Sequence, residues 1–175
     1  LGCEPEPGTF GAAQRFVGGL KDISRERVRD ELQKILLADG KYGNQAGVYQ
    51  GLHLLDRLGA LEVILPALAA GRGLGQRQEY HAYDVLEHGL QTAAQAELAG
   101  GLELRLGDLL HDVGKPAAFQ ATGRMLHHDQ MGADIAREMV TGLRFSNQVQ
   151  EEVSWLVAHH MFDLEGRAKE PTLRR

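Results

Sequence analysis

The sequence holds one cysteine, Cys3, so no internal disulfide is available and a cysteine-type zinc site lacks its ligands. Aromatic residues make up only 6% of the 175 positions. No apolar run approaches the roughly 20 residues that a membrane span needs, and Leu61 to Ala70 is among the longest. No basic segment followed by an apolar one opens the chain, so no secretion signal is expected. Positive charge is also short: 19 Lys and Arg stand against 24 Asp and Glu, a formal net charge of −5. That balance excludes a nucleic-acid binder working through phosphate contacts alone, though not local basic patches. These absences predict a cytoplasmic protein that makes no membrane contact. With 43% hydrophobic residues, the chain can build the core of one helical domain or two small ones. It starts at Leu1 rather than Met and stops at Leu173-Arg174-Arg175, so it reads as a piece of something longer.

What is present is helical spacing punctuated by glycine. Thr9 is placed to cap a short helix reaching Val17. Ser24 opens a stronger one, with Val28, Leu32, Ile35 and Leu36 on one face and Gly40 as its stop. Val48, Leu52, Leu55 and Leu58 continue the pattern to Gly59, and Pro66 divides the series from Leu61 to Ala69. Gly71-Arg72-Gly73-Leu74-Gly75 reads as a hinge. Further helices are expected over 83–98, 102–113, 129–140 and 147–160, with a loop over 117–127. No segment alternates with period two, so no sheet is predicted. The fold class is all-α, in two parts of residues 1–72 and 73–175.

All eight histidines lie after residue 52, and seven of them fall between His81 and His160. His111-Asp112 ends one predicted helix beside Gly114 and Pro116, where fraying lets two adjacent ligand-type side chains converge on one ion. His88 shares a helix face with Asp84, which is placed to orient it or to pair with it in a core. His127-His128-Asp129 precedes a helix N-terminus, where Asp129 either caps the helix or orients His128. His159-His160 closes the last helix, where a terminal capping pair is the plainer reading. Such pairs at successive helix ends suggest a bundle core holding a metal or phosphate. Imidazole and carboxylate together suit iron, manganese, nickel or zinc better than calcium. No phosphate loop, zinc-helix or serine-elbow motif occurs.

The ordered set His88, His111-Asp112, His128 and His160 resembles the HD superfamily of metal-dependent phosphohydrolases. The segments 80–88, 109–116, 128–133 and 156–161 are similar to the HD domain of bacterial tRNA nucleotidyltransferases and poly(A) polymerases. Segments 23–36 and 51–66 resemble that family's neck. The resemblance implies a helical neck over 1–72 and an HD-type bundle over 73–175. It implies His88, His111, Asp112, His128 and His160 as ligands of a divalent ion (Mn, Ni, Fe, Mg or Zn). Asp112, His128 and Lys115 become the catalytic candidates, with Lys115 on a substrate phosphate or simply facing solvent. The implied activity is hydrolysis of nucleotide phosphoesters, 2′,3′-cyclic nucleotides among them, in RNA 3′-end processing. The family's nucleotide-adding head has no counterpart here, so nucleotide addition is not expected of these residues. Its last Asp ligand would follow His160, where Asp163 is the only Asp and Glu165 and Glu170 are alternatives. The rival expectation is a non-catalytic scaffold contacting tRNA through Arg167, Lys169, Arg174 and Arg175.

Overall fold

The structure, a computed structural model, describes residues 4–44, 46–75 and 83–161. Helix α1 spans Pro7–Phe16 and is capped by Glu6 rather than Thr9: the Glu6 carboxylate accepts from the Thr9 N–H at 2.8 Å. Proline suits that first turn because its missing N–H would be unpaired there in any case. A 3-10 segment, Val17–Asp22, leads to α2, Arg25–Leu36, which buries Val28, Leu32 and Leu36 at four-residue spacing. Gly40 does not end this helix. It lies inside a separate short helix, α3 (Ala38–Tyr42), closed by Gly43 in the left-handed region. Helix α4, Gly47–Leu58, stops at left-handed Gly59, and Pro66 separates α5 (Leu61–Ile64) from α6 (Pro66–Ala69) as expected.

The expected hinge is a pinned turn. The Asp84 carboxylate accepts from Gly73 N–H at 2.7 Å and from Glu87 N–H at 2.8 Å, so one side chain ties the turn to the start of α7, Val85–Gln95. Gly71 is buried against that start, where an added Cβ would stand 2.9 Å from Val85 Cγ1. Four further helices follow: α8 (Gly101–Leu110), α9 (Lys115–Thr122), α10 (His128–Gly142) and α11 (Asn147–His159). Helix α9 occupies what was expected to be loop. Pro116 opens it instead of ending α8, since proline is tolerated in a first turn. Among the described residues there is no strand, only a lone bridge between Gly75 and Asp84. No described helix is long and apolar enough to cross a membrane.

One apolar cluster runs through the described helices, joining Leu32, Leu36 and Leu52 to Leu90, Leu106, Leu110, Val140 and Val153. Helix α8 lies between α7 and α11, and glycine sets both distances. An added Cβ would meet the Leu109 carbonyl oxygen at 2.9 Å from Gly89 and Leu156 Cδ1 at 2.8 Å from Gly107. Within this core sits a charge, Arg105, fully buried on α8. Its guanidinium donates to the Leu36 carbonyl at 3.0 Å and the Ala96 carbonyl at 3.1 Å, and it ion-pairs with Asp39. It therefore closes the end of α2 and the end of α7 with one side chain. Replacing it by Met would leave Asp39 and two carbonyls without their donor. Arg105→Met is expected to cost about 3 kcal/mol in urea unfolding.

Candidate metal centre

Four helix ends deliver the site. Asp112, only 3% exposed, stands in the turn after α8, beside the helix C-cap His111. Its Oδ2 faces His111 Nε2 at 3.2 Å and His88 Nε2, from α7, at 3.8 Å. Its Oδ1 faces His128 Nε2, at the start of α10, at 3.3 Å and His160 Nε2, at the end of α11, at 3.6 Å. Lys115 Nζ lies 2.6 Å from Oδ2. All six sequence-derived candidates thus meet at one carboxylate. His111 also packs edge-on against His88 and His160, with ring centroids 5.0 and 5.3 Å apart.

A backbone contact makes this convergence possible. Gly114 lies against the first turn of α10, where an added Cβ would stand 2.1 Å from the His128 carbonyl oxygen and 2.6 Å from Gly132 N. Only a residue without a side chain lets the Asp112 turn reach His128. Left-handed His127, at φ 58°, then turns the chain into α10. Gly114→Ala is expected to cost about 3 kcal/mol by urea unfolding. Gly142→Ala, with nothing within 4 Å of its Cβ, should cost nothing measurable.

The imidazoles are oriented by main chain. Nδ1 of His111, His128 and His160 each lies 2.7 Å from the carbonyl three residues earlier, of Asp108, Met125 and Val157 respectively. A carbonyl only accepts, so each Nδ1 carries the proton and, in the neutral ring, each Nε2 presents a lone pair. Those lone pairs point at the Asp112 carboxylate, and His128 Nε2 and His160 Nε2 are themselves 3.2 Å apart. Acceptors facing acceptors in a buried space call for a positive charge between them. Two groups could hold a metal ion: His88, His111 and Asp112, and Asp112, His128 and His160. The nitrogen and carboxylate donors suit a first-row divalent ion.

Three expectations are corrected. Asp84 caps α7 and ties down Gly73 rather than orienting His88. Asp129 does not orient His128, which the Met125 carbonyl holds; it sits in the first turn of α10, where its charge suits the helix dipole. Lys115 is buried, not solvent-facing. The partners that sequence reasoning missed are carbonyls and Gly114, which carry no side-chain signal beyond the recurring three-residue offset. His81, Asp163, Glu165, Glu170 and the basic residues Arg167, Lys169, Arg174 and Arg175 lie outside the described residues.

Burial works to raise the Asp112 pKa, but in the metal-free chain His111, His128 and His160, which donate from Nε2 when their rings carry a second proton, outweigh it and hold the carboxyl far below the usual range. Burial would likewise lower that of His111, yet the Asp112 hydrogen bond and charge leave it above the ordinary histidine value. A raised value means that the folded chain holds the proton more tightly than the unfolded one. The resulting stability is full below about pH 6.5 and is lost as pH rises through the folded value. Asp112 adds no slope there, since it stays ionised in both states above about pH 5. The metal-free chain should therefore melt at a higher temperature at about pH 6 than at about pH 8, and the gap should shrink in Asp112→Asn.

A helical bundle that turns imidazoles from four helix ends onto one buried carboxylate is a candidate metal-binding helical domain. The HD domain family model matches residues 85–175, more than half of the sequence. The model described as "Probable RNA and SrmB- binding site of polymerase A" matches residues 2–71. The chain belongs to the HD domain family, in the neck-plus-HD arrangement of the tRNA nucleotidyltransferases and poly(A) polymerases. It is 35% identical over 161 residues to an A-adding tRNA nucleotidyltransferase of Deinococcus radiodurans, covering 87% of this chain and 35% of that protein. It is 39% identical over 146 residues to a CC-adding tRNA nucleotidyltransferase of Thermus thermophilus, covering 79% and 32%. A bifunctional uridylyltransferase/uridylyl-removing enzyme of Ruegeria pomeroyi is 30% identical over 141 residues, covering 69% and 14%. The chain spans about a third of the length of the first two relatives.

Proposed function

We propose that residues 1–72 form the neck and 73–175 the HD domain of a cytoplasmic RNA 3′-end-processing protein, and that the Asp112 cluster hydrolyses nucleotide phosphoesters with a divalent ion. The observation that carries this reading is the set of three main-chain-anchored imidazoles aiming Nε2 at one buried carboxylate. His88, His111 and Asp112 would hold one ion, and Asp112, His128 and His160 are arranged to hold a second. A bound divalent ion supplies Lewis-acid charge for a phosphoryl oxygen and acidifies water. Asp112 divides its oxygens between the two groups, Oδ2 towards His88 and His111, Oδ1 towards His128 and His160, which suits a bridging carboxylate. Lys115 neutralises Oδ2 in the free site and is placed to donate to a phosphate there. A relative whose name includes uridylyl removal supports phosphoester cleavage on this framework.

A second reading, a non-catalytic module that binds tRNA, is favoured by the match of residues 2–71 to an RNA-binding model. Lys115, already ion-paired with Asp112, is a built-in countercharge that such a module would retain. Hydrolysis of 2′,3′-cyclic AMP with added Mn²⁺ or Ni²⁺ separates the two. Metal-dependent turnover is expected, falling more than about 100-fold in Asp112→Asn, beyond the loss typical of an outer partner. Salt-sensitive tRNA binding with no turnover would replace it by the scaffold reading.

A further inference from the structure

The groove between α10 and α11 carries side chains that the metal-centre reading leaves unused. Trp155 is the sole tryptophan and is 59% exposed, while Val153, Ser154 and Val157 beside it are buried. His159, one turn on, stacks against it, with ring centroids 4.5 Å apart and planes 22° from parallel. The His159 Nδ1–H donates to the Trp155 carbonyl at 2.7 Å, which fixes the imidazole flat against the indole. Glu151 precedes Trp155 by one turn, and Gln130, Asp134 and Arg137 line the opposite wall along α10. The groove is open to solvent, with a volume of about 480 Å³.

Its position relative to the cluster is set by topology. Helices α10 and α11 run antiparallel, since His128 at the start of one meets His160 at the end of the other. Gln130 and His159 therefore mark the end of the groove nearest Asp112. Trp155 and His160 are five residues apart, about 7.5 Å along the helix axis and about 140° around it, so the groove and the Asp112 cluster lie on different faces of α11.

A rigid, exposed aromatic face recognises another flat ring. The charges beside it choose which part of a nucleotide lies there. Asp134 and Glu151 accept hydrogen bonds, which matches the edge of a base bearing an exocyclic amino group, and Arg137 on the same wall as Asp134 can donate to a ring nitrogen or carbonyl oxygen of that edge. We infer that this groove is a nucleobase subsite, in which an amino-bearing base stacks on Trp155. The stacking of the base stands independently of the phosphohydrolase reading.

Because Trp155 is the only tryptophan, the indole emission of the chain reports on the groove directly. The metal-free chain is titrated with AMP, CMP and UMP. Saturable quenching is expected with AMP and CMP at concentrations at least about fivefold below those needed with UMP. That preference should vanish in the Asp134→Asn, Glu151→Gln double variant, both sites being exposed. Equal quenching by all three nucleotides, or by ribose 5-phosphate, would overturn the inference, as would no saturable quenching at all. An emission change that tracks chain concentration rather than nucleotide would overturn it too, marking the groove as a contact between copies. Turnover is scored separately on 2′,3′-cyclic AMP with Mn²⁺. Selective quenching without turnover supports the subsite and removes the hydrolase reading; turnover without quenching does the reverse.

Discussion

A carboxylate taken almost wholly out of water, as Asp112 is, must be met by donors or positive charge, because an unpaired buried anion costs several kcal/mol. Everything around it answers that requirement. Lys115 supplies charge from the next turn, and four imidazoles arrive from three other helix ends and from the preceding residue. Those of His111, His128 and His160 are not free to turn away, since carbonyls of Asp108, Met125 and Val157 hold their other nitrogens. The cluster is thus fixed from the main chain outward, and a cation or protons must balance what the folded chain has assembled.

That demand explains the close helix approaches. Bringing the Asp112 turn to the start of α10 requires backbone against backbone, which Gly114 and Gly132 provide. Gly89 and Gly107 perform the same service on either side of α8, which carries His111 at its end. Arg105, on that same helix, reaches back to the ends of α2 and α7. The RNA-binding-type segment and the HD segment therefore share one apolar cluster and one buried cation. A substitution in α2 can be felt at the Asp112 cluster through α8.

Much of this is legible in the sequence. The all-α class follows from helical spacing without alternation, and the stops at Gly59 and Pro66 follow from local chemistry. His88, His111, Asp112, His128 and His160 stand out because ligand-type residues recur at successive helix ends. The errors share one cause. Asp84, Asp129, Gly40 and Pro116 each admit two local roles, and the choice depended on what lay nearby in space. Pro116 opens α9 because Gly114 has already turned the chain, and Asp84 caps because the Gly73 turn folds back onto it.

The sequence by itself determined which residues carry chemistry and the order in which helices present them, since spacing and residue type are local properties. Only the tertiary structure decided that the candidates share one carboxylate, that Lys115 is buried, that Arg105 is a core residue, and that Trp155 stands open beside His159. The physical reason is that these facts are contacts between residues far apart in the chain. They are fixed by how close glycine lets helices approach and by which carbonyls those approaches leave within reach of a donor.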